Sequence, residues 1–265
     1  MARGTGFRGP LGFSAPNLPF DGIPLRVADT TFQQQFLAFM LGHGTYQGPA
    51  AAGTENGIVV TDVAGTSAVT SDADGRLVLT TGTTDENSGQ IQFKRPQFTH
   101  STTKAMTFAA RVKTSTQATT GVFVGLASVD TTVWTAAAGA VDVDDGIFFY
   151  KDATATDWTF HVRKDSTSTT QAMGLTLAAD TYSIVMFTVR SGVIRAYAIN
   201  DSANVLRNTD NAVGVARPFG AGLSVANTNA PDDADLCPSL LCGQEGGTTA
   251  RVLTVDWMFC VQEHA

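Results

Sequence analysis

The stretch that decides the fold class is Leu253-Thr-Val-Asp-Trp-Met-Phe-Cys-Val261. Every second residue from Leu253 to Val261 is apolar, which is the period of a β-strand with one face buried. Similar runs separated by turn residues predict further strands at 76–81, 88–94, 106–113, 121–129, 146–151, 158–164, 182–190, 193–199 and 219–226. Roughly ten short strands without alternating helices predict an all-β fold, an antiparallel β-sandwich or barrel.

The first 52 residues differ from the rest because glycine and proline interrupt any regular structure there. Aromatic residues nevertheless recur, at Phe7, Phe13 and Phe20. We therefore expect residues 1–52 to form an extended N-terminal arm that lies in a groove, and residues 53–265 to form the sandwich domain.

One short helix is predicted at about residues 30–41, within the arm. Phe32, Phe36, Phe39 and Met40 recur at helical spacing, and Gly42 is a natural C-terminal stop. This apolar stripe packs either on the chain's own sandwich or on a partner, and the pattern leaves both open.

Composition narrows the possible partners. The net charge is −7 and no basic run occurs, so we expect no nucleic-acid partner. No apolar run reaches the roughly 18 residues of a membrane span, and the N-terminus lacks a signal peptide's apolar stretch. We expect synthesis in a host cytoplasm and no metal or cofactor. Cys237 and Cys242 flank a Pro-Ser-Leu-Leu segment that we interpret as a turn and could pair across it, but we expect reduced thiols at Cys237, Cys242 and Cys260.

The motifs that suggest catalysis lack the context that their chemistry needs. Gly4-Thr-Gly-Phe-Arg-Gly9 runs into Pro10 instead of a helix, and Ser224 lies in a predicted strand rather than a nucleophile elbow. Asp142 and Asp144 have the alternate spacing of a glycosidase pair but run into the turn signal Asp145-Gly146. We expect no catalytic residues and no enzyme; a sandwich-fold glycosidase is the weaker alternative.

Carbohydrate binding is the main alternative function, in the form of a lectin-like module for host adhesion. Such a module needs exposed aromatic rings beside hydrogen-bonding groups. Trp134 is the candidate glycan contact because it lies in a loop-like stretch, whereas Trp158 and Trp257 occupy strand positions typical of a core.

The sandwich region resembles tailed-phage virion proteins that have a concanavalin-like (laminin-G-like) jelly roll. The resemblance rests on strand-and-turn segments spread over about 76–263, which are Arg76-Leu-Val-Leu-Thr-Thr-Gly-Thr-Thr-Asp-Glu-Asn87, Gly121-Val-Phe-Val-Gly-Leu-Ala-Ser-Val-Asp130, Asp145-Gly-Ile-Phe-Phe-Tyr-Lys-Asp152, Phe160-His-Val-Arg-Lys-Asp-Ser-Thr-Ser-Thr169 and Leu253-Thr-Val-Asp-Trp257. It implies a structural role on the particle, such as capsid decoration or a minor capsid protein located in the virion.

The arm has no counterpart in that resemblance, so its role is a separate hypothesis. We expect it to clamp onto the major capsid protein shell, onto other copies of the chain as a homo-oligomer on the particle, or onto both. The residues expected to make these contacts are Arg3, Phe7, Arg8, Phe13, Phe20, Phe32, Phe36 and Phe39.

Overall fold

The computed structural model describes residues 36–42, 44–95, 97–129, 132–135, 140–201 and 223–263. These residues form strands and turns, and no helix that could span a membrane occurs among them. The strands are β1 (Phe36–Leu41), β2 (Gly53–Glu55), β3 (Ile58–Val63), β4 (Ser67–Ser71), β5 (Leu77–Thr81), β6 (Ser88–Phe93), β7 (Phe98–Thr99), β8 (Met106–Thr114), β9 (Thr120–Ser128), β10 (Trp134–Thr135), β11 (Ala140–Val141), β12 (Gly146–Lys151), β13 (Asp157–Lys164), β14 (Thr167–Thr176), β15 (Tyr182–Arg190), β16 (Val193–Asp201), β17 (Leu223–Val225), β18 (Asp235–Gln244) and β19 (Val252–Glu263).

Two antiparallel sheets form the sandwich, as the alternating pattern predicted. Sheet A has the order β17-β16-β15-β8-β19-β5-β4, with β1 also paired to β19. Sheet B has the order β14-β13-β12-β9-β18-β6-β3-β2, with β7 also paired to β18. Because most neighbours in each sheet are distant in sequence, loops from different parts of the chain meet at the ends of the sandwich.

Aromatic side chains join the two sheets across the core. The rings of Phe160 in sheet B and Phe187 in sheet A lie 5.7 Å apart. Phe187 also stacks on Phe108 of its own sheet, and Phe160 contacts Phe149. All four are fully buried, and each such side chain contributes about 1.5–3 kcal/mol relative to an exposed one.

A β-bulge in β19 interrupts the predicted alternation of core-facing and outward-facing residues. The register with β8 shifts between Val255 and Trp257, so Leu253 and Val255 face the core but Trp257 does not. An extra residue in one strand reverses the faces of the residues that follow it. Trp257 therefore packs, half-buried, on the outer face of sheet A, and the prediction that it is a core residue is wrong.

The predicted helix at about 30–41 is wrong over Phe36–Leu41, which form β1. Residues 30–35 lie outside the described residues. β5 pairs with β19 only over Val252–Val255, and β1 pairs with the remaining edge over Met258–Glu263. A short apolar run cannot be assigned to helix or strand from periodicity alone, and here an unpaired strand edge favours the strand. The sandwich therefore includes residues that were predicted to belong to the arm.

A further strand, β18, lacks a clear sequence signal. β18 contains Pro238, and the segment between Cys237 and Cys242 was interpreted as a turn. On one edge of β18, pairing passes from β7 at Leu236 to β6 at Ser239, so Pro238 lies in the gap between them. A proline, which has no N–H to donate, is tolerated where a ladder is interrupted.

Candidate functional site

A polar cavity of about 370 Å³ lies at one end of the sandwich. It is formed by the β7–β8 loop, the end of β13 and the β17–β18 connection. Its lining residues are His100, Ser101, Thr102, Lys164, Asn227, Thr228, Ala230 and Asp232.

His100 is the buried polar group in the cavity wall. It is only 4% exposed, and neither ring nitrogen has a hydrogen-bond partner among the described residues. Burial lowers the pKa of His100, against the opposing effect of Asp232. The neutral imidazole therefore has one N–H donor and one acceptor nitrogen that no described residue engages, and both nitrogens are shielded from solvent.

The β7–β8 loop that presents His100 is held by Ser101. Its hydroxyl oxygen accepts hydrogen bonds from the backbone N–H groups of Thr103, at 3.1 Å, and Lys104, at 3.3 Å. Such a local side-chain-to-backbone turn is a typical role of serine in loops. The turn held by the Ser101 hydroxyl places Thr102 next to His100 in the cavity lining.

Lys164 is fixed by two carboxylates on the β17–β18 connection. Its Nζ lies 2.6 Å from Asp232 Oδ1 and 3.2 Å from Asp233 Oδ2. The hydrogen bonds that the Lys164 ammonium donates to these carboxylates raise the pKa of Lys164. The tight β13–β14 turn, in which Asp165 and Ser166 have φ values of 47° and 62°, places Lys164 at the end of its strand.

Asn227 is anchored by the β15–β16 hairpin. Its Nδ2 donates a 3.0 Å hydrogen bond to the carbonyl of Gly192. Ser191 and Gly192 are the two central residues of that hairpin, and both have the positive φ values of a tight turn, 48° and 74°. The amide of Asn227 therefore has a defined position at the cavity.

The arrangement suits hydrogen bonding to a neutral or charged polar ligand. It offers hydroxyl groups, an amide, an imidazole and an ion pair around one small volume. Within the described part of the chain, no group of three His, Cys, Asp or Glu side chains could hold a metal ion. Asp142 and Asp144 are exposed, and Asp144 accepts a 2.6 Å hydrogen bond from the Ser166 hydroxyl.

Trp134 does not have the exposed position that was predicted for a glycan contact. It lies in the β10–β11 hairpin, on the outer face of sheet B, and is fully buried. Its ring packs against Gly121 and Gly243, which lie opposite each other in β9 and β18. Its Nε1 donates a 3.1 Å hydrogen bond to the Tyr150 hydroxyl. Trp134 thus fastens the hairpin to the sheet, because the two glycines leave room for its ring.

Lys151 and His161 are titratable side chains outside the cavity lining, the first fully buried and the second half-buried. Lys151 is fully buried, and its Nζ donates hydrogen bonds to the carbonyls of Gln117, at 2.6 Å, and Thr120, at 2.8 Å. Burial lowers the pKa of Lys151 to about 8. His161 stacks on Phe148 with ring centroids 5.0 Å apart, and burial lowers its pKa to about 4. Both are held by local contacts that stabilise the sandwich.

The predicted arm contacts are not tested by the structure. Arg3, Phe7, Arg8, Phe13, Phe20 and Phe32 lie outside the described residues. Phe36 and Phe39 belong to β1, where their backbones pair with Glu263 and Cys260. The capsid-binding hypothesis therefore stays a prediction.

The residues of the cavity were not singled out from the sequence. No sequence motif surrounds His100, and the acidic residues after Asn227 have the composition of a turn. A polar run interrupted by Pro231 is the available local signal for the β17–β18 connection. No local sequence signal connects the β17–β18 connection with His100 or Lys164. These residues meet only because strands distant in sequence pair in the two sheets.

Comparison with solved structures shows which known fold the chain has. No family model and no curated protein matches the sequence. The winged bean acidic lectin complexed with methyl-α-D-galactose is similar over 87% of this chain and 100% of that one, with a TM-score of 0.56 and 11% identity. The chain has a concanavalin-like sandwich fold. At this identity the likeness concerns the fold alone.

Two further solved structures have the same architecture. Peanut lectin with a nonapeptide matches over 87% of this chain and 99% of its own, with a TM-score of 0.55 and 12% identity. A protein of unknown function from Shewanella oneidensis MR-1 matches over 86% of this chain and 87% of its own, with a TM-score of 0.53 and 12% identity. The concanavalin-like part of the predicted resemblance is confirmed, while nothing in these likenesses points to a phage virion protein.

Proposed function

We propose that this chain is a carbohydrate-binding module and that the cavity beside His100 is its binding site. The observation that carries the proposal is a buried imidazole in a polar cavity with neither nitrogen bonded to the described protein. The sandwich resembles lectins in fold, and the winged bean lectin among them is complexed with methyl-α-D-galactose.

The chemistry of the cavity fits a sugar. A buried polar group without a partner costs about 1–3 kcal/mol, which a ligand that supplies the missing hydrogen bond recovers. Sugar hydroxyls both donate and accept, so they match the imidazole of His100, the hydroxyl of Thr102 and the amide of Asn227. Small-molecule sites are usually about 300–1,000 Å³, and the cavity volume of about 370 Å³ falls at the lower end, which suits one or two sugar rings.

A glycan array with matched variants tests the proposal. We expect the wild-type protein to bind a defined set of glycans. His100→Phe should lose at least about tenfold in glycan affinity, because a phenyl ring makes no hydrogen bond. A tenfold loss corresponds to about 1.4 kcal/mol, the size of one or two lost hydrogen bonds. His161→Phe is the control, since it is the same substitution outside the cavity lining.

Two results would contradict the proposal. One is a wild-type protein that binds no glycan on an array of broad composition. The other is a folded His100→Phe variant whose glycan affinity equals that of the wild type.

A further inference from the structure

The outer face of sheet A, which points away from sheet B, carries its own group of buried apolar side chains. They come from four strands, and we name them the outer-A cluster: Ala109, Ile184, Met186, Tyr197, Phe259 and Val261. The half-buried Trp257 packs against them. The outer-A cluster is separate from the core between the sheets and from the cavity lining.

Strand register makes the outer-A cluster one continuous patch. Phe259 of β19 stands opposite Ala109 of β8, which stands opposite Met186 of β15. Met186 in turn stands opposite Tyr197 of β16. Directly opposite residues of antiparallel strands project from the same face, and four neighbouring strands span roughly 14 Å. The patch therefore crosses the centre of the sheet.

The outer-A cluster is buried although no third layer covers it within the described ranges. Its six members are only 1–8% exposed. Every apolar side chain of the described residues that packs on the cluster belongs to sheet A itself. On the outer face of sheet B, in contrast, the buried cluster includes Val133 and Trp134, which belong to the covering hairpin. The cover of the outer-A cluster is therefore to be sought in the rest of the chain.

The N-terminal segment, residues 1–35, reaches sheet A beside this cluster. It leads directly into β1, where Phe36 stands opposite Glu263, two residues from Val261 along β19. Fully extended, 35 residues reach about 115 Å, far more than the width of the patch. The prolines of the segment disfavour a paired edge strand, so contact through side chains on a sheet face suits it better.

Two other occupants fit the observations less well. The outer-A cluster reaches its burial within one chain, so a second copy is not needed to cover it. The connection 202–222 also starts from sheet A, but Phe219 is its one aromatic residue. The N-terminal segment carries four, and large aromatic rings supply most contact area at such a face.

We propose that residues 1–35 lie across the outer-A cluster of their own sandwich as a third layer, anchored by Phe7, Phe13 and Phe20. This inference is independent of the proposed function. A partner that binds these aromatic residues, such as a capsid shell, must then compete with the outer-A cluster for them.

A spin label on the N-terminal segment of the full-length chain tests this docking. Cys237, Cys242 and Cys260 are fully buried, so a label attached in Ser14→Cys modifies that position selectively. In methyl spectra, the label should cause loss of the signals of Ile184, Met186 and Val261. The signals of Val133 and Leu241, on the outer face of sheet B, should persist and serve as the internal reference.

Matched variants identify the occupant. Phe7→Ser with Phe20→Ser, added to the labelled chain, should restore the lost signals, whereas Val215→Ser with Phe219→Ser in the connection 202–222 should not. A label at Thr209→Cys probes that connection directly. Mixing spin-labelled chains with isotope-labelled, unmodified chains shows whether the contact passes between two copies.

Each alternative occupant predicts a different pattern. Outer-A signals that persist beside the Ser14→Cys label would overturn the proposal, and their loss with the Thr209→Cys label alone would assign the cover to 202–222. Signal loss in the mixed sample equal to that within one chain would assign it to a second copy. Loss that survives Phe7→Ser with Phe20→Ser would overturn the aromatic anchoring.

Discussion

Removing the Trp134 ring should destabilise the sandwich strongly, because the ring is fully buried between the β10–β11 hairpin and sheet B. Truncation of a buried tryptophan to alanine costs about 3–5 kcal/mol, and the lost hydrogen bond to Tyr150 adds about 1 kcal/mol. Trp134→Ala should therefore lower the free energy of unfolding by about 4–6 kcal/mol in urea titrations followed by circular dichroism. Trp257→Ala, which truncates a half-buried ring, should cost clearly less.

A double-mutant cycle with Gly243 tests the packing directly. A Cβ at Gly243 would lie 2.9 Å from Trp134 Cζ3 and 3.0 Å from Cη2, so Gly243→Ala should cost about 1–3 kcal/mol in the wild type. In the Trp134→Ala background that clash is absent, and the same substitution should be neutral or stabilising by about 0.5–1 kcal/mol. An equal cost in both backgrounds would refute the argument that the glycine pair exists to admit the tryptophan.

Three other perturbations have defined expectations. Lys151→Met should lower the free energy of unfolding by about 2–3 kcal/mol in urea, because it leaves buried carbonyls without a donor, whereas Lys94→Met should be nearly silent. The pKa of His161 is about 4 in the fold and about 6.5 unfolded, so stability should fall by up to about 3 kcal/mol as pH drops through that window. His161→Phe should remove this pH-dependent loss of stability. A variant with the pH dependence of the wild type would contradict the assignment of the loss to His161. Deleting residues 1–28 should abolish copurification with phage particles and leave a folded sandwich; if truncated protein still decorates particles, the capsid hypothesis is wrong.

Period-two patterns predicted the central strands because each buries one face against the opposite sheet. Where a strand buries little of either face, or where its alternation is interrupted, the prediction was wrong or incomplete. β14 is rich in threonine and largely unburied, so it carries no apolar alternation, and Pro238 concealed β18. The bulge after Val255 reversed the faces of β19, which no local pattern indicates.

The candidate site was harder to predict than the fold, for a topological reason. His100, Lys164 and Asn227 stand more than sixty residues apart; His100 and Asn227 belong to two separate connections, and Lys164 ends β13. Their meeting depends on strand order in both sheets, which the sequence pattern does not determine. Trp134, in contrast, looked exposed because its flanks resemble a loop, and the space left by Gly121 and Gly243 became visible only with the strand register.

The most direct test of the central claim is a chemical-shift titration of the isotope-labelled protein with the best glycan from the array. Saturable shift changes should centre on His100, Ser101, Thr102 and Asn227, and the ring nitrogens of His100 should respond with the same dissociation constant as calorimetry gives. Changes that spare these residues and gather elsewhere, such as around Trp257 on the outer face of sheet A, would contradict the account.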